Sequence, residues 1–288
     1  MKFKFIHNHR DRFPIRVQCR ILKVKPSGYY AWMRRPLSKR ARENARLLEA
    51  IKKAHKDSRQ TYGSPRIARV LRKQGYFASR PRIARLMRKH SIQAKTHRKF
   101  KVTTDSRHNQ VASPNLLNQN FSADAINQIW TSDITYLRTR EGWLYLTVIE
   151  DLFNREIVGW SMSSTLSPES TTIPALIQAC NRQNPSPGLI FHSDRGIQYA
   201  CDSFRQLLSK NKMIQSMSGK GNCYDNAVTE SFFHTLKIEL THHEKYETRT
   251  QASNSVFEFI EVFYNRERLH SALGYQTPEQ FKKLRMAA

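Results

Sequence analysis

Gln128-Ile-Trp-Thr-Ser-Asp-Ile-Thr-Tyr-Leu-Arg-Thr139 alternates apolar and polar side chains and is rich in β-branched and aromatic residues. That pattern predicts a strand with one well-buried face. Gly142 interrupts it, and Trp143–Glu150 (WLYLTVIE) and Glu156–Met162 (EIVGWSM) read as two further strands after short turns. Three strands so closely joined predict an antiparallel meander. Beyond them the period changes. Pro168–Cys180 reads as a helix, Leu189–His192 as a short buried strand, Asp202–Asn211 as a helix and Met213–Ser216 as another short strand. A glycine-containing loop, Ser218–Asp225, leads into a long helix from Asn226 to about Leu240, and a further helix covers about Gln251 to Tyr264. Strands alternating with helices in this way indicate an α/β layer.

Three acids stand at informative places in this layer. Asp133 lies inside the first strand, where burial is costly without a cation or other partner. Asp194 follows directly on Leu189–His192, at the kind of strand end where open sheets gather ligands. Glu230 opens the long helix. Hard divalent cations take carboxylate oxygens. A pair of such ions can activate a nucleophile and steady the leaving oxygen of an in-line phosphoryl displacement. Singly, each acid also has an ordinary reading: a strand-end acid, a turn former before Arg195-Gly196, a surface helix residue. The intervals carry the case, with 60 residues between Asp133 and Asp194 and 35 between Asp194 and Glu230.

The other half of the chain is defined by charge. The net charge is +26, and residues 1–110 hold 32 Lys and Arg against 5 Asp and Glu, so the excess lies entirely there. A segment so basic is expected to bind a polyanion through phosphate contacts and counterion release. Ala41–Lys56 predicts a helix with Ala45, Leu48, Ile51 and Ala54 on one face. Pro65-Arg-Ile-Ala-Arg-Val-Leu-Arg-Lys73 is nearly repeated as Pro81-Arg-Ile-Ala-Arg-Leu-Met-Arg-Lys89. Each proline suits a first helical turn, Ser64 and Ser79 stand at N-cap positions, and Gly75 at a C′ position. Two short helices about a glycine turn resemble a helix-turn-helix. The second helix would present Arg80, Arg82, Arg85, Arg88 and Lys89 to DNA, with Arg66 and Arg69 of the first as further candidates. A helical hairpin with a basic outside has the same spacing. Pro14–Trp32 predicts two more short helices around Lys25-Pro-Ser-Gly28. The resulting plan is a small helical segment (1–40), a basic helix-turn-helix-like region (41–96), a linker (97–120) and an α/β domain with C-terminal helices (121–288).

Several classes are excluded. No apolar run approaches membrane-spanning length, and the N-terminus lacks a signal-peptide core. The cysteines, Cys19, Cys180, Cys201 and Cys223, form no C-x-x-C pair, so a structural zinc site is not expected. They read as reduced thiols.

The 35-residue interval matches the D-D-35-E pattern of integrases and insertion-sequence transposases. Longer words narrow the likeness: Trp130-Thr-Ser-Asp-Ile-Thr-Tyr136, His192-Ser-Asp-Arg-Gly-Ile-Gln-Tyr199, Ser216-Met-Ser-Gly-Lys-Gly-Asn-Cys-Tyr-Asp-Asn226, Glu230-Ser-Phe-Phe-His-Thr-Leu-Lys237 and Tyr264-Asn-Arg-Glu-Arg-Leu-His270, followed by Leu273-Gly and Thr277-Pro. Over nearly the whole chain the sequence resembles transposases of the insertion-sequence 3 family, second-reading-frame type. That resemblance implies a ribonuclease-H-like catalytic core, a five-stranded mixed sheet flanked by helices. It implies Asp133, Asp194 and Glu230 as the catalytic and metal-holding residues, with two Mg²⁺ ions that Mn²⁺ can replace. It implies cleavage at element ends and attack by the resulting 3′-OH on another phosphodiester. Lys237, seven residues after Glu230 and so on the same helix face, is a candidate phosphate contact. His192 would touch substrate or pack at its strand end. Asp225 and Asn226 would orient the glutamate helix, with Asp225 equally suited to an N-cap, and Asn265, Arg268 and His270 would contact DNA or brace the fold. The implied partners are double-stranded DNA, a second copy on DNA, and an upstream-frame helix-turn-helix and leucine-zipper product, free or fused. The implied setting is the bacterial cytoplasm, at the nucleoid. A DNA-binding regulator without catalysis, or a nuclease that only hydrolyses, are the competing readings.

Overall fold

The computed structural model describes residues 1–36, 38–95, 113–219 and 227–287. Most of the expected linker and the loop before the long helix, with Asp225, Asn226 and Cys223, lie outside the described residues.

The sheet has the order β3-β2-β1-β4-β5. β1 (Ile129–Thr139), β2 (Gly142–Asp151) and β3 (Ile157–Ser163) form the expected meander. β4 (Ile190–Ser193) then lies parallel to β1, and β5 (Ile214–Met217) parallel to β4. Side chains alternate across β1. Trp130 packs with α7 (Thr172–Gln183) and α9 (Asp202–Lys210), and Leu137 packs under α10 (Ala227–Glu239) and α11 (Arg249–Glu258). α7 starts later than expected because Pro168–Thr171 forms turns. A single helical turn, α8 (Ile197–Ala200), precedes α9.

α11 does not stop at Tyr264. It continues as a π-helical stretch, Phe259–Glu267, with Phe259, Ile260, Phe263, Tyr264 and Asn265 buried. The last helix, α12 (Pro278–Met286), opens with a capping box in which Thr277 and Gln280 satisfy each other's backbone N–H groups.

The regular elements in the described part of the basic half are all helices. α1 (Lys2–Asn8), α2 (Ile15–Ile21) and α3 (Pro26–Arg34) enclose Ile6, Cys19 and Tyr29. α4 (Lys39–Asp57), α5 (Ser64–Lys73) and α6 (Arg80–Lys89) pack around Leu47, Ile51, Ile67, Leu71, Ile83, Leu86 and Met87. α4 buries Leu47, Ile51 and Ala54 while Ala45 is exposed, so its apolar face is turned from the one expected. Ser79 stands at the N-cap of α6 as expected, without a capping hydrogen bond from its side chain, but Gly63, not Ser64, is the N-cap of α5. Gly75 ends α5 at φ +84°, a left-handed conformation natural only to glycine. This core is not closed by its own segment. Leu269 and Tyr275, from beyond the π-helical stretch, complete it.

Candidate active site

The parallel ladder of β1 and β4 pairs Thr131 with His192 and Ser132 with Ser193. The next residue on each strand is Asp133 and Asp194, so the two acids leave one ladder side by side. Asp133 accepts a hydrogen bond from its neighbour Ile134 N (2.7 Å), and Asp194 Oδ1 accepts one from Gly196 N (2.9 Å). A Cβ at position 196 would stand 2.9 Å from that same Oδ1, so only glycine lets the chain turn this tightly around the carboxylate. On the α10 side of the sheet, Thr229 Oγ1 donates to Thr131 Oγ1 (2.9 Å). Thr131 and Asp133 share a face of β1, so this buried contact seats the first turn of α10, which carries Glu230, on the face of β1 that carries Asp133.

The electrostatics report the same convergence. Burial holds the Asp133 carboxyl well above the usual carboxylate range, and the Asp194 charge pushes it further. The Ile134 N–H pulls it back, Glu230 raises it and Lys237 lowers it. Glu230 is itself raised by partial burial, and Lys237 is lowered by burial against the opposing pull of Asp133. Lys237 Nζ also stands 6.0 Å from the centre of the Tyr136 ring. A buried acid repelled by two others and offset by Lys237 offers hard oxygen donors, which fit a divalent cation. Among the described residues no three His, Cys, Asp or Glu groups stand close enough to form a ready-made metal cage. Glu230 remains exposed, in the first turn after residues 220–226.

Sequence reasoning passed over the support beneath the aspartates. Tyr199, fully buried, has its hydroxyl 2.8 Å from Ser132 Oγ, which donates to Val148 O (2.8 Å). Burial, then the charges of Asp133 and Asp194, keep this phenol protonated far above its ordinary range. Its signal was position: Tyr199 closes the His192–Tyr199 word and Ser132 sits inside the Trp130–Tyr136 word.

Four residues with both a DNA-contacting and a fold-bracing alternative are buried, which favours the second: His192, Asn265, Arg268 and His270. His192 is inaccessible, its Nδ1 2.8 Å from Ser216 Oγ and its Nε2 3.4 Å from Ser218 Oγ, so it packs between β4 and β5. The Asn265 side chain accepts from Ile157 N (3.0 Å) and donates to Ile157 O (3.1 Å), satisfying edge strand β3 as another strand would. Arg268 is buried and makes a two-pronged contact with Glu239, Nε–Oε2 2.9 Å and Nη2–Oε1 2.8 Å. His270 is buried too, its ring edge-on to Tyr264, and burial and then the Arg268 charge hold it well below its usual value, neutral.

The helix-turn-helix cations divide. Arg80, Arg85, Arg88 and Lys89 are exposed on α6. Arg82 is drawn to Asn44 (2.9 Å) and Glu43 (3.4 Å) on α4. Arg69 is exposed, its guanidinium 4.9 Å from the Tyr275 ring, and Arg66 turns inward to Glu239 (3.6 Å). The described cysteines, Cys19, Cys180 and Cys201, are free thiols. Among the described residues no helix is long and apolar enough to cross a membrane.

Comparison with known proteins agrees with this anatomy. Residues 42–100 match an HTH-like domain family, and residues 123–223 and 230–286 match integrase core domain families. The chain is 41% identical to the transposase InsF for insertion sequence IS3A of Escherichia coli (strain K12), with both chains covered in full. It is 44% identical to an insertion element IS600 31 kDa protein of Shigella sonnei, over 92% of this chain and 97% of that one. Among solved structures it is similar to a simian T-cell lymphotropic virus intasome chain (14% identity, TM-score 0.46, 81% of this chain and 74% of that one). It is also similar to the catalytic core of BIV integrase (16% identity, TM-score 0.42, 56% and 97%). Full-length identity at this level, on an integrase-type sheet behind a helix-turn-helix-like unit, makes the chain a member of the IS3 family of insertion-sequence DNA transposases.

Proposed function

We propose that this transposase is a polynucleotidyl transferase of the Asp-Asp-Glu type, working with two Mg²⁺ ions, which Mn²⁺ can replace. The observation that carries the reading is the shared β1–β4 ladder ending at Asp133 and Asp194, under a helix whose Glu230 and Lys237 both act on the Asp133 carboxyl. Asp133, Asp194 and Glu230 would hold the ions, which supply charge neutralisation and activation of the attacking oxygen. The two aspartates are pre-positioned by their strands, and Glu230 is brought by α10. Lys237 reaches toward the same carboxylates and would receive a phosphate of the bound strand. The exposed Arg80, Arg85, Arg88 and Lys89, with Arg69, would hold double-stranded DNA. The protein would work at the bacterial nucleoid as more than one copy on DNA, with an upstream-frame helix-turn-helix and leucine-zipper partner or fusion.

The test is strand joining by the purified chain on a labelled duplex carrying an element end, with Mg²⁺ or EDTA. Joined product that needs the metal and is lost in Asp133→Asn supports the reading. Metal-dependent nicking that becomes joining only when the upstream product is added assigns a transposase that needs its partner. Nicking that never becomes joining assigns a nuclease, and binding without chemistry, even with the upstream product added, assigns a regulator.

A further inference from the structure

The buried contact of Arg268 with Glu239 is half of a larger seam. Arg66, on α5 of the helix-turn-helix-like unit, approaches the same carboxylate (Nη1–Oε1 3.6 Å) and lies 5.4 Å from the centre of the Tyr62 ring. The Tyr62 hydroxyl accepts from Leu269 N (2.7 Å) and is 3.3 Å from Glu267 O. Arg59 pairs with Glu258 (2.8 Å) and lies over Phe263. The turn between α4 and α5 and the inner face of α5 therefore grip α10 and the π-helical stretch together.

The charges do not balance. Arg268 alone satisfies Glu239 through two hydrogen bonds, so Arg66 is a second cation in a largely dry seam. Burial, and next the like charge of Arg268, hold the Arg66 guanidinium below its usual value. A surplus half-buried cation is a poor way to gain stability, since its desolvation is only partly offset. Its place is better explained by what it joins. Glu239 is on α10, nine residues beyond Glu230 and two beyond Lys237. Along a helix that is roughly 13 Å of stiff rod. On the other side, α5 leads into α6, which carries the exposed basic row.

We infer that Arg66 and Glu239 are positioning residues, a joint through which the DNA-holding unit sets the α10 helix and so the place of Glu230 over Asp133 and Asp194. The inference rests on the proposed roles of Glu230 and of α6. It separates Arg66 from its neighbours in the basic half: Arg66 acts on chemistry, and they act on affinity.

The experiment compares the full chain with Arg66→Met, Arg66→Lys, Glu239→Gln and the Arg66→Met/Glu239→Gln double variant, each checked for an intact thermal transition. Joining is measured at saturating end duplex, and duplex affinity across a salt series. The expected result for Arg66→Met is a joining rate lowered about 10- to 100-fold, the scale of a small misplacement of a catalytic group. Affinity and its salt slope stay as in the parent, Arg66→Lys recovers most of the rate, and the double variant is no slower than Glu239→Gln alone. Weakened binding with a salt slope reduced by about 0.9 would make Arg66 a phosphate contact and overturn the inference. So would an unchanged joining rate. If the parent chain joins nothing even with the upstream product added, the catalytic reading fails by itself, and hydrogen exchange decides the joint separately. Arg66→Met must then speed exchange along α10, and unchanged protection there would overturn it.

Discussion

α10 carries two glutamates nine residues apart, and they live in opposite conditions. Glu239, at the end of the helix, is buried and gripped by two guanidinium groups. Glu230, in the first turn, is exposed, and partial burial makes its charge harder to hold. A helix braced at one end and carrying an exposed acid at the other is suited to delivering that acid to a cation. The contrast teaches how to tell the two kinds of acid apart. The bracing glutamate has its lone pairs committed to arginine. The acid proposed to react is exposed and raises the buried Asp133 carboxyl.

The comparison is most exposed to failure at Glu230. Glu230→Gln should lower strand joining by about a thousandfold or more, the several kcal/mol that a metal-held charge contributes, while DNA affinity stays within about threefold, a fraction of a kcal/mol. Joining at the parental rate would remove Glu230 from the chemistry. Glu239→Leu should, beyond any effect on joining, lower stability by about 3–5 kcal/mol because it leaves Arg268 buried without its carboxylate. An unchanged chemical-denaturation midpoint would mean the seam is not the brace described. Smaller again is the effect of an exposed cation. Arg88→Ala should weaken duplex binding several-fold and reduce the salt slope by about 0.9 if it meets one phosphate. A slope that does not move takes Arg88 out of the interface.

Glu150 gives the finest test, because it is an acid committed to neither task. Burial raises its carboxyl from 4.5 to about 8, against the offsetting charge of Arg155, and its Oε2 has no hydrogen-bond partner among the described residues. Between those two values the folded chain keeps a proton that the unfolded chain releases. Stability therefore falls as pH rises through the window, and the whole cost is present above about 8. Glu150→Gln should flatten that slope, so melting temperatures measured from pH 5 to 8.5 diverge from the parent with rising pH. Parallel curves would assign the slope to another group.

How legible this was from sequence depends on distance along the chain. The strands were readable because alternation is local, as in Gln128–Thr139, and the three acids because family words enclose them. The basic helices were readable from their proline and glycine punctuation. α12 was equally readable, since Thr277 and Gln280 have capping-box spacing, and it was passed over. For His192, Asn265 and Arg268 the sequence left contact and bracing both open, for a different reason. A polar side chain shows in sequence but its partner does not: Asn265 meets Ile157, and Arg268 meets Glu239, across the fold. The face of α4 was misjudged similarly, because Leu47 and Leu48 are equally apolar and the packing of α5 and α6 chooses between them.

The most direct test of the account is a count of ions. Manganese binding to the full chain, measured by calorimetry or by its paramagnetic signal, should give two sites for the parent and for Arg88→Ala, with affinity falling as pH is lowered and Asp133 takes up a proton. Asp133→Asn and Asp194→Asn should abolish tight binding, and Glu230→Gln should remove at least one ion. Two ions bound as tightly to Asp133→Asn as to the parent would contradict the account, because the metal would then be held somewhere other than the end of the β1–β4 ladder.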